Sequence, residues 1–225
     1  SDAGFMRELN ASLAEQYAHL SRHLETDLLA NHYFENLKAL TLMAVYFEDE
    51  PVLDLSLGLL EEQIDEQILA DGMHFELSPM YHKVVLEGLL RVLSALGTVG
   101  VGRQKLEDAA RKMCDAMFSM ERDTCRTPLF NDSGDNVAKS CGALLSCAKG
   151  LLGHEPVASL DLSASGYHII ERDCPVGRVK LIFDAGMPGP RYASGHAHCD
   201  ALSFELFIDG APVIVNSGTY AYQDP

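Results

Sequence analysis

The hydrophobic pattern changes once along this chain of 225 residues, and that change constrains the fold more than any other feature. From residue 5 to about residue 153, apolar residues recur every three or four positions, as on one face of a helix. From about residue 160 onward, apolar and polar residues alternate, as in half-buried strands. The sequence therefore predicts a helical domain over residues 1–155 and a β domain over residues 160–225.

The first domain is predicted to contain six helices, separated by glycine, proline and short polar breakers. They span residues 6–24, 31–48, 52–69, 79–96, 103–120 and 135–152. Short connections between successive helices are typical of αα-hairpins packed side by side. Ser78 and Pro79 indicate a helix start, because serine caps a helix and proline suits its first turn.

The second domain is predicted to begin with strands at residues 167–172, 179–184, 201–208 and 212–216. Asp209-Gly210, between the last two strands, is a strong turn signal. Residues 185–195 are rich in glycine and proline, which predicts a loop leading to His196. His196 and His198 point the same way in an extended chain. Because histidine suits both metal ligation and proton transfer near neutral pH, this pair marks a candidate site.

Composition and motifs exclude several classes of function. The net charge is −16, with 33 acidic against 17 basic residues, which argues against nucleic acid as a partner. No apolar run is long enough to span a membrane. The motifs of nucleotide-binding loops and of serine hydrolases are missing from the sequence. No basic segment followed by an apolar one opens the chain, so no secretory signal is visible.

Three separated motifs, in the same order, resemble those of the heparinase II/III-like polysaccharide lyases, a family that includes alginate lyases. They are Asn31-His32, the run DGMHFELSPMYH at 71–82 and the run GHAHCDALSFELFIDGAPVIVNSGTYAY at 195–222. The resemblance implies an α+β fold, in which an incomplete α/α toroid precedes an antiparallel β-sandwich. It also implies that the chain is a fragment holding only the first strands of the sandwich, and that the protein is periplasmic or secreted.

The resemblance implies cleavage of an acidic polysaccharide or oligosaccharide by β-elimination at a uronic acid. This reaction needs a group at the carboxylate, a base for the C5 proton and an acid for the leaving oxygen. By resemblance, Tyr81 is the base, Asn31 and His196 lie at the carboxylate, and His32 or His82 supports them. The catalytic acid is expected beyond the end of this chain. No cofactor is required for this chemistry.

Four further residues are predicted to bind substrate: His82, Glu76, Arg191 and Tyr192. Glu76 belongs to the second motif and is expected to orient a neighbour or contact sugar hydroxyls, and the last two precede His196 in its loop. Two simpler interpretations remain open from the residues alone. Asn31 is also typical of a helix cap, and Tyr81 of an aromatic side chain packed on a neighbouring helix. The three ordered motifs favour the site.

His198 matches a histidine that ligates a structural zinc in some family members. This sequence has Asn216 where those members have a ligating aspartate, and the third ligand, a histidine, lies beyond the chain. Asparagine is a weaker zinc ligand than a carboxylate, so we favour a hydrogen-bonded strand histidine at His198. Asp200 and Glu205 are predicted to receive imidazole N–H groups. Residues 131–135 lack the ligand spacing of an EF-hand and are predicted to form a capping loop at the toroid rim.

Two other functions remain open. The acidic charge and Asn216 are compatible with a non-catalytic glycan-binding protein linked to polysaccharide assembly or export. A glycoside hydrolase on the same architecture would need two carboxylates across a cleft. The acidic residues Glu61, Glu62, Asp65 and Glu66 are instead typical of a solvated helix surface. The net charge also disfavours highly sulfated chains as substrates and favours a less charged uronate polymer.

Overall fold

The computed structural model describes residues 2–124, 126–192 and 194–221. Within them, six helices precede five strands. The helices are α1 (Ala3–Leu20), α2 (Ala30–Tyr46), α3 (Glu50–Gln67), α4 (Pro79–Thr98), α5 (Gln104–Glu121) and α6 (Cys141–Leu152). The strands are β1 (Asp161–Leu162), β2 (Tyr167–Cys174), β3 (Gly177–Asp184), β4 (Phe204–Ile208) and β5 (Ala211–Ile214). Each strand pairs antiparallel with the next, in the order β1-β2-β3-β4-β5. The predicted fold class, an incomplete toroid followed by the beginning of a sandwich, is confirmed.

Helices α1, α4 and α6 each begin directly after a residue whose side chain caps them. α4 begins at Pro79, as predicted, and Ser78 Oγ accepts the Tyr81 N–H at 3.2 Å. α1 begins three residues before the predicted start, because Asp2 caps it. α6 begins at Cys141 rather than at residue 135, because Ser140 is its cap and the preceding residues form irregular loop.

The helical core is built around α4, which buries residues along most of its length. Leu86 and Leu89 of α4 are fully buried, together with Leu37 of α2, Leu60 of α3 and Met113 of α5. Truncating a leucine in such a core costs about 2–5 kcal/mol. Among the described residues, no helix is long and apolar enough to cross a membrane.

A second core joins the sheet to the helices. Tyr167, Ile182 and Phe207 on the inner face of the sheet pack against Met73 and Leu77, which lie between α3 and α4. The Tyr167 hydroxyl donates to the Leu77 carbonyl oxygen. This contact fixes the α3–α4 connection against the sheet, and the candidate site lies along that connection.

The strands differ from the predicted ones at their ends. β1 was not predicted, because two residues carry no alternation. β4 begins at Phe204 rather than at residue 201, since Leu202 has φ of 65° and the chain turns there. The predicted turn between β4 and β5 is confirmed, with φ of 49° at Asp209 and 78° at Gly210. Outside residue 193, the segment between β3 and β4 contains no helix or strand, as the glycine and proline content predicted.

Candidate active site

A tight turn between α3 and α4 carries the second motif into the interior. Asp71 Oδ2 accepts the Ser165 N–H at 2.7 Å, which ties the turn to the sheet. Gly72 has φ of 88°, and a Cβ there would lie 2.3 Å from the Lys112 carbonyl oxygen. Only glycine therefore fits at this position. The chain then turns back along the end of α3, where the Phe75 N–H donates to the Gln67 carbonyl oxygen at 2.8 Å, and Glu76 follows.

Two loops meet at the same place. The Asp132 N–H donates to the His196 carbonyl oxygen at 3.0 Å. In return, the His198 N–H donates to Asn131 Oδ1 at 3.3 Å. The Asn131 N–H donates to Asp200 Oδ2 at 2.8 Å. These bonds join the loop before α6 to the loop before β4, and they hold the third motif beside the second.

Tyr81 and His196 are in direct contact. Their ring centroids are 3.8 Å apart and their planes are inclined by 32°. Tyr81 lies in the first turn of α4, where the Ser78 cap fixes its direction. Two residues that are 115 positions apart in sequence, both predicted from the resemblance to be catalytic, therefore lie side by side.

His196 is oriented by Asp132, a residue that the sequence did not predict at the site. His196 Nδ1 lies 2.7 Å from Asp132 Oδ2, and the Thr219 hydroxyl donates to the other carboxylate oxygen. An ionised carboxylate only accepts hydrogen bonds, so Nδ1 carries a proton. His196 Nε2 then points toward Glu76, 3.7 Å from Glu76 Oε2.

Glu76 is buried within the cluster, with a relative exposure of 3%. Its Oε1 accepts the Asn31 N–H at 3.4 Å. Its Oε2 lies 3.8 Å from His74 Nδ1 and 3.7 Å from His196 Nε2. Burial raises the pKa of Glu76, while His196 opposes the shift. Glu76 is therefore an inward-facing neighbour of His196 rather than a surface contact for sugar hydroxyls.

Asn31 and His32 differ in their surroundings. α2 begins at Ala30 with Leu29 at the cap position and no side-chain cap, so Asn31 does not cap the helix. The Asn31 backbone instead donates to Glu76, at the edge of the cluster. The His32 side chain is 58% exposed and lies 3.9 Å from Glu25, so it does not share this contact.

The two loop residues predicted to bind substrate lie on the surface near the cluster. Tyr192 packs edge-on against Phe75, with ring centroids 6.2 Å apart, and its hydroxyl donates to Glu66. Partial burial and the Glu66 carboxylate raise the pKa of Tyr192. Arg191 is exposed. Since Phe75 directly precedes Glu76, these residues form the rim above the buried cluster.

His82 occupies a supporting position instead of the substrate contact that the sequence predicted. It is 1% exposed, and its Nδ1 accepts the His74 N–H at 3.2 Å. Its Nε2 donates to the Met113 carbonyl oxygen at 3.0 Å. Burial lowers the pKa of His82 to about 4. Both ring nitrogens are hydrogen-bonded within the protein, so the neutral ring of His82 connects α5 to the turn between α3 and α4.

Asn216, one of the two predicted zinc ligands, is hydrogen-bonded at both ends of its side-chain amide. Asn216 Oδ1 accepts the Gly218 N–H at 3.0 Å, and its Nδ2 donates to Asp200 at 2.7 Å. The Asn216 amide oxygen therefore uses one of its two lone pairs within the protein. Across residues 2–124, 126–192 and 194–221, no group of three or more histidine, cysteine, aspartate or glutamate side chains is arranged to hold a metal.

Asp200 and Glu205 do not receive imidazole N–H groups, contrary to the prediction. Glu205 Oε1 accepts the backbone N–H groups of Leu129 at 2.8 Å and Asn216 at 3.1 Å. Asp200 accepts from Asn131 and Asn216. Both carboxylates thus brace the loops around the site, and Asp132 alone of these three orients His196.

Comparison with known proteins identifies the family of this chain. The family model described as heparinase II/III N-terminus matches residues 3–147, and the heparinase II/III-like C-terminal model matches residues 155–225. The chain belongs to the heparinase II/III family. A heparin-sulfate lyase of Pedobacter heparinus is 26% identical over 232 residues, which cover 90% of this chain and 35% of that protein.

Solved structures of the heparinase II/III family share the fold. A mutant of the heparan sulfate lyase HepC from Pedobacter heparinus superposes with a TM-score of 0.72 at 23% identity, over 98% of this chain and 37% of that one. A heparinase III superposes with a TM-score of 0.74 at 15% identity, over 95% and 38%. The chain thus spans little more than a third of the length of these relatives.

Proposed function

We propose that the protein is a polysaccharide lyase that cleaves a uronate-containing glycan by β-elimination. The observation that carries the proposal is the contact between Tyr81 and His196, with Glu76 and the start of α2 beside them. Membership of the heparinase II/III family supports the reaction class. So does the heparin-sulfate lyase among its relatives.

In this reaction a base removes the C5 proton of the uronate. The electron pair of that C–H bond forms the C4=C5 double bond, the C4–O bond breaks, and the leaving oxygen takes up a proton. No oxidant, reductant or cofactor enters the balance. The site must therefore stabilise the negative charge that develops on the carboxylate and supply one proton acceptor and one proton donor.

The described residues suit two of these tasks. Tyr81 is the proposed base, and the adjacent imidazole of His196 provides the polar neighbour that a tyrosine needs to lose its proton. His196, through an N–H at Nε2, and the amide of Asn31 are the proposed partners of the uronate carboxylate, with His32 nearby at the surface. An asparagine amide donates to a carboxylate without titrating itself. The proton donor to the leaving oxygen is not assigned among these residues.

The substrate is proposed to be an acidic polysaccharide or oligosaccharide with few sulfate groups. Asp132 and Asp200 bring carboxylates to the site, and the chain as a whole has a net charge of −16. Such a surface repels densely charged polyanions. Arg191 and Tyr192 at the rim are the proposed contacts for neighbouring sugars.

The proposal is tested by incubating the intact protein with alginate, hyaluronan, chondroitin, heparan sulfate and bacterial uronate polymers. The readout is the ultraviolet absorbance of the new C4–C5 double bond, with reducing ends measured in parallel. We expect absorbance and reducing ends to rise together on a lightly sulfated uronate polymer. Reducing ends without absorbance would indicate hydrolysis, and oligosaccharide binding without either product would indicate a binding protein.

A further inference from the structure

Two buried acceptor atoms face each other beneath the candidate site. Glu76 Oε2 and His74 Nδ1 are 3.8 Å apart, and neither has a hydrogen-bond partner among the described residues. The two side chains are 3% and 0% exposed. Buried polar atoms are almost always hydrogen-bonded, so this pair requires a donor between its members.

The proton on His74 is located by its neighbours. Gln67 Nε2 donates to the Ala30 carbonyl oxygen at 3.0 Å and to Gln63 Oε1 at 2.7 Å, which fixes the orientation of the Gln67 amide. The amide oxygen of Gln67 therefore faces His74 Nε2 at 2.9 Å and must accept its proton.

His74 consequently presents a lone pair on Nδ1 to Glu76. Burial lowers the pKa of His74 to about 3, with smaller contributions from His82 and His196, so the ring is neutral. An ionised Glu76 would place a second acceptor against this lone pair. A protonated Glu76 supplies the missing donor from its own carboxyl group, after a shift of under ~1 Å to reach hydrogen-bond distance.

We propose that Glu76 is held as a neutral carboxylic acid, with its proton on Oε2 directed at His74 Nδ1, and that in this form it is a positioning residue for His196. The proposal deepens the proposed lyase function and rests on it for the role, although not for the protonation state. A neutral Glu76 keeps negative charge away from His196 Nε2, where the carboxylate of the glycan is proposed to bind. An ionised Glu76 would compete with the substrate for that nitrogen.

The groups that face Glu76 come from each element around it. They are His32 of α2, His74 of the turn, Asp132 of the loop before α6, and Tyr192 and His196 of the loop before β4. His196 and His32 lower the pKa of Glu76 and Asp132 raises it, but burial is the largest influence and raises it. No lysine or arginine is among them. The neutral form is therefore opposed by the Asn31 N–H bond to Oε1 and by two imidazoles, one of which is already engaged by Asp132.

The direct test is infrared difference spectroscopy of the intact protein through a pH titration. We expect the carbonyl stretch of a protonated carboxylic acid at neutral pH, which disappears as pH rises and is missing in Glu76→Gln. Glu66→Gln removes an exposed carboxylate near the rim and should leave the band unchanged. If the wild-type protein has no such band at neutral pH, the proposal is wrong, whether or not any variant folds.

The turnover of Glu76 variants tests the positioning role of Glu76 separately from the lyase function. Glutamine is neutral, has nearly the shape of the acid and can donate to His74, so Glu76→Gln should keep kcat/KM within about threefold of wild type. Glu76→Ala should lose at least tenfold. A loss of a hundredfold in Glu76→Gln would show that the ionised form acts and would overturn the proposal. If the infrared band is present but no glycan is cleaved, the lyase function fails while the protonation state of Glu76 stands.

Discussion

Two clusters of buried and half-buried charged or titratable side chains lie where the helices meet the sheet, and they are built differently. The clamp cluster consists of Arg122, Glu171 and Lys180. Lys180 Nζ donates to the Ser119 and Arg122 carbonyl oxygens at 2.8 and 2.9 Å, and Arg122 pairs with Glu171 at 2.6 Å. The cationic end of Lys180 thus binds the C-terminal carbonyl groups of α5, where the helix dipole is negative.

The cleft cluster consists of His74, Glu76, Asp132 and His196, and it contains no permanent cation. Its carboxyl groups face imidazoles, whose charge depends on pH, and Glu76 Oε2 and His74 Nδ1 lack partners among the described residues. The clamp cluster therefore joins helix and sheet. The cleft cluster instead places titratable carboxyl groups and imidazoles next to the ring of Tyr81. Substitutions in the two clusters should separate stability from turnover.

The largest expected effect on stability is at the clamp cluster. Lys180→Met leaves the Ser119 and Arg122 carbonyl oxygens without their donor, while Glu171 keeps its pairs with Arg122 and Arg178. Because each buried acceptor without a partner costs about 1–3 kcal/mol, we expect a loss of about 2–5 kcal/mol in the free energy of unfolding. The measurement is urea denaturation, with Lys139→Met at an exposed position as the control. Turnover per folded molecule should be unchanged. Equal losses of unfolding free energy in Lys180→Met and Lys139→Met would show that Lys180 does not join α5 to the sheet.

Acid should weaken the protein through the buried histidines of the second motif. Burial lowers the pKa of His82 to about 4, so between pH 6.5 and 4 the unfolded chain binds a proton that the folded chain does not. Stability is therefore lost as pH falls through this window, by about 3 kcal/mol for His82.

Urea midpoints measured between pH 7 and pH 4.5 test this window. We expect His82→Asn to remove about one proton from the pH slope, while His168→Asn at an exposed position of β2 leaves the slope unchanged. A slope in His82→Asn equal to that of wild type would mean that His82 is not the group that titrates.

Asp132→Asn should reduce turnover by about 10–100-fold, because an amide cannot hold the proton on His196 Nδ1 as a carboxylate does. Its effect on stability should be smaller than that of Lys180→Met, since the shape is kept and the Thr219 bond survives. The measurement is kcat and KM on the substrate identified above, with the pH profile. A change in stability without any change in kcat or in the pH profile would show that Asp132 stabilises the fold but does not orient His196 for the reaction.

Tyr192→Phe should have the smallest effect. It removes one hydrogen bond to the exposed Glu66, which contributes at most about 1 kcal/mol. If the rim binds neighbouring sugars, KM should rise several-fold on long chains and remain unchanged on the shortest cleavable oligosaccharide. The same KM on both lengths as in wild type would remove Tyr192 from the proposed binding site.

The sequence predicted those parts of the site that depend on local signals. The Ser78-Pro79 start of α4, the glycine-rich loop before His196 and the Asp209-Gly210 turn all follow from short patterns. The resemblance placed Asn31, Tyr81 and His196 in one site, and the structure brings them near each other. Periodicity alone carries no information about which loops touch.

Other parts depend on contacts between distant residues. Asp132 lies 64 positions before His196, within residues that look like an ordinary capping loop, so no local pattern links the two. His82 was grouped with Tyr81 because they are adjacent in the motif. Successive residues on a helix are about 100° apart, so Tyr81 faces His196 while His82 faces α5. Glu205 occupies an inward-facing position of β4, where alternation predicts an apolar residue.

The most direct measurement is the turnover of Tyr81→Phe on the cleaved glycan. The control is Tyr46→Phe, which removes an exposed hydroxyl of α2 far from the site. Removing a general base costs about 10²–10⁴-fold in rate, so we predict a loss of that size in Tyr81→Phe, with unchanged stability and near wild-type turnover in the control. Wild-type turnover in Tyr81→Phe would contradict the proposed mechanism, because the contact between Tyr81 and His196 would then have no part in the reaction.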